Sequence, residues 1–209
     1  MLSVARSALR LLVLGDSIAS GTGASAPEDT LGRRLAAALT GEGFDVELHV
    51  RAVPGSVSDD LPRQVRAAAP LAADLALVVI GANDLTRLVP PEQAAGSLDE
   101  ALRVLRAAGT DVVLVPAPDM SHVPVVPPAF RPLVQAACAR LRQRQVAVAT
   151  AHGATVVPVA DIDRAFGTDP ALFAADRFHP SSAGYAHIAA ALAPAVLAVA
   201  RTRQDGTAA

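Results

Sequence analysis

The chain has 209 residues, of which 52% are hydrophobic and only 3% aromatic, with a formal net charge of −2. Those figures suit one α/β domain with a Leu, Val and Ala core; they leave no electrostatic footprint for nucleic acid and few rings to stack on single strands. All 18 basic residues are Arg, which excludes a P-loop lysine and Schiff-base chemistry, and the single Cys138 allows neither an internal disulfide nor a multi-cysteine metal site.

Strand and helix patterns alternate along the chain. Arg6 and Arg10 followed by Leu11 to Leu14 imitate a targeting segment, but the apolar run is too short for a signal peptide. It reads instead as a first strand, about 9–14, running into Gly15-Asp16-Ser17. A Gly/Ser/Thr-rich loop and a helix over about 29–40 follow. A second strand (about 45–50) leads to Pro54-Gly55, and a second helix spans about 59–69. The continuous apolar run 75–80 suits a strand buried on both faces and ends in Gly81-Ala82-Asn83-Asp84. A third helix covers about 92–108 and a fourth strand 111–115. The loop 116–128 holds five prolines. A fourth helix (about 129–152), a fifth strand (155–159), an irregular stretch with a short helix over 161–177 and a last helix (about 181–203) complete the chain. Residues 204–209 read as a disordered tail beyond a single domain of 1–203. The apolar run near the C-terminus contains His187 and Pro194, which argues against a membrane span. A cytoplasmic location is the default expectation.

Five strands with crossover-length helices between them predict a three-layer α/β/α sandwich. Its sheet would be parallel and five-stranded, in the flavodoxin-like order 2-1-3-4-5. Such a sheet gathers the loops after its strands at one edge. There the sequence offers Ser17 after strand 1, Gly55 after strand 2 and Asn83 after strand 3. Asp176-Arg177-Phe178-His179 precedes the last helix. These are a potential nucleophile, two kinds of oxyanion donor and an acid–base pair. Each has a plain alternative. Gly-Asp-Ser is an ordinary turn tripeptide, Gly55 a turn glycine, Asn83-Asp84 an Asx turn or helix cap, and Asp176 a cap.

The four blocks Gly15–Ser17, Gly55, Gly81–Asp84 and Asp176–His179 stand in the order found in SGNH hydrolases, and the chain resembles that family within its GDSL esterase/lipase group. The first block ends in Asp-Ser-Ile rather than Asp-Ser-Leu. The resemblance implies that Ser17 attacks an ester carbonyl, that His179 is its base and that Asp176 orients the imidazole. It assigns the oxyanion to the N–H groups of Ser17 and Gly55 and the side-chain amide of Asn83. It implies no metal and no cofactor. The expected partner is a small-molecule acyl ester; the sequence does not fix the oligomeric state.

Asp16, Asp84, His122 and Phe178 are expected around the substrate pocket, Asp16 and Asp84 also as braces. The loops 22–28, 86–91 and 120–129 would shape that pocket, with Val123, Val125 and Val126 as an apolar wall. Asp119-Met120-Ser121-His122 is a second Asp-x-x-His and a competitor for the base. Asp161 and Asp163 compete for the orienting carboxylate. Gly21-Thr22-Gly23-Ala24-Ser25-Ala26 spells a dinucleotide fingerprint but begins too far after strand 1. Arg140, Arg142 and Arg144 read as a solvated helix surface. The reading is a serine esterase for small to medium acyl groups acting through an acyl-enzyme. The alternatives are a thioesterase, acyltransferase or carbohydrate deacetylase with the same site, or a non-catalytic binding module.

Overall fold

The computed structural model describes residues 8–207. Five strands run in chain order: β1 (Leu9–Gly15), β2 (Val46–Val50), β3 (Leu75–Val79), β4 (Asp111–Val115) and β5 (Thr155–Val156). Every pairing is parallel and the sheet order is β2-β1-β3-β4-β5. The helices are α1 (Ser17–Ser20), α2 (Leu31–Gly41), α3 (Leu61–Ala68), α4 (Ala82–Thr86), α5 (Pro91–Ala107), α6 (Arg131–Ala151), α7 (Ala160–Thr168) and α8 (Ser182–Thr207).

Successive strand side chains point to opposite faces, and the apolar runs feed both. Leu11 and Val13 of β1 join Leu75 and Leu77 of β3 against α2 and α8. Leu12 and Leu14 join Ala76 and Val78 against α3, α5 and α6. Both layers are mainly aliphatic, with Tyr185 the one fully buried ring among the described residues. Truncating a fully buried leucine such as Leu77 to alanine would cost about 2–5 kcal/mol, transfer and cavity terms together.

Two local outcomes, at the fifth strand and at the end of α8, differ from the sequence reading. The fifth strand stops at Val156, although the Val157 N–H still donates to the Leu114 carbonyl at 3.0 Å and Val157 and Val159 are buried. The short helix expected within 161–177 is α7, which starts at Ala160 and holds Asp161 and Asp163 in its first turn, a placement the helix dipole favours. Gln204 to Thr207 continue α8 rather than fraying. Residues 1–7 of the expected domain, and residues 208 and 209 of the expected tail, lie outside the described residues.

Length and composition alone would let α8 cross a membrane, with a mean hydropathy of 1.7 over its most apolar window, despite His187 and Pro194. Its stripe Tyr185, Ile188, Leu192 and Val196, spaced by three and four, is buried in the core over the sheet. The Tyr185 hydroxyl also donates to the Thr22 carbonyl at 2.7 Å, fastening the loop after α1.

Candidate active site

The site begins where β1 ends. Gly15 has φ +130°, and a Cβ there would lie 1.8 Å from the Val79 carbonyl oxygen, so only glycine lets β1 turn against β3. Asp16 then caps α1, accepting from the Ile18 N–H at 2.9 Å. Ser17 is thereby the first residue of a helix, and its own N–H has no intrahelical acceptor.

The last block arrives from the turn before α8. Ser17 Oγ lies 3.0 Å from His179 Nε2, and His179 Nδ1 lies 2.6 Å from Asp176 Oδ2. The other Asp176 oxygen accepts from the N–H groups of Phe178 and His179. The bond from His179, with those backbone donors, lowers the Asp176 pKa to about 2. An ionised carboxylate only accepts, so Nδ1 carries the proton and Nε2 is left to accept from the Ser17 hydroxyl. Arg177, between them, is held at φ +58° by this turn, and its N–H donates to Ala174.

The loop after β2 supplies the donors. Gly55 has φ +82°, and a Cβ there would meet nothing closer than the Arg87 guanidinium at 3.4 Å. The glycine is required by its backbone conformation, not by crowding. Its N–H has no acceptor among the described residues. Asn83 Nδ2 donates to the Ser56 carbonyl at 3.0 Å. A carbonyl can only take the amino end, so the flip of the amide is fixed and its second N–H remains available.

Asp16 and Asp84 are both buried, and Asp16 lines a small cavity of about 40 Å3 with Ile18 and Ala82. Asp84 is fully buried, and both its oxygens accept from the Ser58 N–H, bracing the loop after β2. Asp16 is 1% exposed; its Oδ2 has no partner among the described residues, and burial raises its pKa to about 7. Phe178 lines an apolar cavity of about 60 Å3 with Ile18, Met120, Val123 and Phe173. Val123 is buried and Val126 packs beside it, but Val125 is 58% exposed and forms no wall.

The competing motif falls elsewhere. His122 Nε2 is 3.6 Å from Asp119 and has no bond to Ser17. It lines a separate cavity with Arg131 and Arg177. Asp161 pairs with Arg164, and Asp163 with Arg142 at 2.7 Å. Arg142 is therefore not part of a solvated surface; it also donates to the Ala117 carbonyl and ties the loop after β4 to α7.

Two residues that sequence reasoning passed over hold the site together. Buried Gln64 of α3 bonds both backbone groups of Gly15 and reaches Ser56 Oγ at 3.1 Å. Buried Gln145 of α6 accepts from the Ala117 N–H and donates to the Ile80 carbonyl, joining the ends of β3 and β4. The signal was present in the sequence. Each glutamine sits in an otherwise apolar helical stripe: Leu61, Gln64, Val65, Ala68, and Cys138, Leu141, Gln145, Ala149.

Residues 13–187 match the model of the GDSL-like lipase/acylhydrolase family. The chain belongs to that family. A GDSL-like esterase of Mycobacterium tuberculosis is 33% identical over 183 residues, which is 85% of this chain and 58% of that protein. The chain thus spans a little over half the length of that relative. Among solved structures, TesA superposes with a TM-score of 0.76 at 23% identity, covering 91% of this chain and 99% of its own. An acetylxylan esterase from Geobacillus stearothermophilus gives 0.72 at 19%, covering 89% and 93%. At those identities the two structures show a shared fold. The four sequence blocks that carried the SGNH resemblance all fall inside the family match.

Proposed function

We propose that this GDSL-family protein is a serine esterase that cleaves esters of small to medium acyl groups through an acyl-enzyme on Ser17. The chain Ser17–His179–Asp176, with spacings of 3.0 and 2.6 Å, carries the reading. Ser17 Oγ attacks the ester carbonyl while His179 Nε2 takes its proton. Ionised Asp176 stabilises the imidazolium. The N–H groups of Ser17 and Gly55 and the free N–H of Asn83 receive the oxyanion. His179 returns the proton to the departing alcohol oxygen, leaving the acyl group on Ser17. Water then attacks that acyl group with His179 again as base, releasing the acid and restoring the serine.

The apolar cavity is walled by Ile18 and Phe178, the chain neighbours of Ser17 and His179, and its small size favours short acyl groups. The acetylxylan esterase among the neighbours gives the deacetylase alternative the same preference. Hydrolysis of nitrophenyl esters from acetate to palmitate tests the reading. Activity should fall with chain length and vanish in Ser17→Ala. Equal rates for Ser17→Ala and wild type would remove Ser17 as nucleophile.

A further inference from the structure

Behind the turn that carries the proposed base lies a second cavity of about 300 Å3, between that turn, α7 and the loop after β4. Its lining includes His122, Arg131, Arg177, Phe166, Phe173 and Ala174, and no acidic residue. Most arginines of this chain are tied to carboxylates, among them Arg10, Arg34, Arg106 and Arg142. Arg131 and Arg177 are not: among the described residues neither guanidinium has an ion pair or hydrogen bond. Two exposed guanidinium groups without a carboxylate partner line one concavity, and both attract an anion placed there. Each presents a planar fork of donors matched to carboxylate or phosphate oxygens. Phe166 and Phe173, packed edge to face at 5.0 Å, give the cavity an apolar wall.

We propose that this cavity binds an anionic oxygen group, a carboxylate or phosphate, held by Arg131 and Arg177. Arg177 lies between Asp176 and Phe178, and the Ala174 N–H donates to the His179 carbonyl at 2.8 Å. The wall of the cavity is thus the turn that carries His179. The anion has two possible sources: a remote acidic group on the ester substrate, or a free anion such as phosphate.

The first arm of the test is calorimetric titration of inorganic phosphate into wild type, Arg131→Gln and Arg177→Gln at constant ionic strength set with chloride. Saturable binding to wild type, weakened at least about tenfold in each variant, supports the site; ten-fold corresponds to about 1.4 kcal/mol. No saturable binding, or equal binding in all three proteins, overturns it. The second arm compares kcat/KM for two nitrophenyl esters of matched length, one acyl chain ending in a methyl and the other in a carboxylate. A preference for the carboxylate that phosphate competes away and that Arg131→Gln abolishes assigns the anion to the substrate. Equal kcat/KM values alongside phosphate binding assign it to a free anion. Only this second arm rests on the esterase reading: hydrolysis of neither ester by wild type counts against that reading, while the phosphate titration still decides the site.

Discussion

The side-chain amide of Gln64 satisfies both the N–H and the carbonyl of Gly15, at 2.9 and 2.8 Å. The nucleophile turn and the donor loop are thus joined through one buried residue of α3, because the same amide reaches Ser56. The Gly15 carbonyl also accepts from the Val53 N–H at 3.0 Å, so loss of Gln64 strands only the buried Gly15 N–H, at a cost of about 1–3 kcal/mol. Gln64→Leu should therefore lower the melting temperature. It should also reduce kcat more than it raises KM, since a displaced Ser17 harms the transition state first. An unchanged kcat in a folded Gln64→Leu protein would limit the residue to a stability role.

Asn83 offers one N–H to Ser56 and keeps the other. If that second N–H meets the oxyanion, Asn83→Ala should reduce kcat by about 100- to 1,000-fold with little change in KM, the pattern for loss of one such donor. A variant that raises KM alone would place Asn83 in ground-state binding.

The two Asp-x-x-His motifs are separated by a pair of variants. His179→Ala should lose at least about a thousand-fold in kcat, as removal of a triad base does. His122→Ala should retain hydrolysis of a neutral short ester, because His122 has no bond to Ser17 and pairs with Asp119 instead. Loss of activity in His122→Ala with retention in His179→Ala would reverse the assignment. Asp176→Asn should cost less than His179→Ala, because the imidazole remains able to take the proton.

Asp16 predicts a pH dependence of stability. Burial raises its folded pKa from 3.8 to about 7. Between those values the unfolded chain binds fewer protons at this site than the folded one. This group's contribution therefore falls as pH rises from 3.8 to about 7 and is level above. Asp16→Asn keeps an oxygen for the Ile18 N–H and removes the charge. The melting temperature of Asp16→Asn relative to wild type should climb across that window and flatten beyond it. Parallel melting curves across the window would show that Asp16 is solvated enough to ionise freely.

Much of the site was legible in the sequence because its signals are local. Continuous apolar runs located β1, β3 and β4. Gly-Asp-Ser and Asp-x-x-His each form within one turn, through bonds spanning two or three residues: Asp16 to Ile18, and Asp176 to His179. Strand alternation and crossover length then implied the sheet order, which the structure shows. Less legible were residues whose partners lie far along the chain. Arg142, read as solvated, is held by Asp163; Val125, read as a pocket wall, faces solvent.

The sequence by itself determined the residue types, their order and the turns that present them, since backbone conformation and capping depend on near neighbours. Only the tertiary structure decided which histidine meets Ser17, which carboxylates are buried, and that Gln64 and Gln145 clamp the strand ends. Those outcomes depend on contacts between residues as far as 162 positions apart, as for Ser17 and His179. Local propensity carries no information about such distances. Packing of α2, α3, α5, α6 and α8 on the two faces of one sheet sets them.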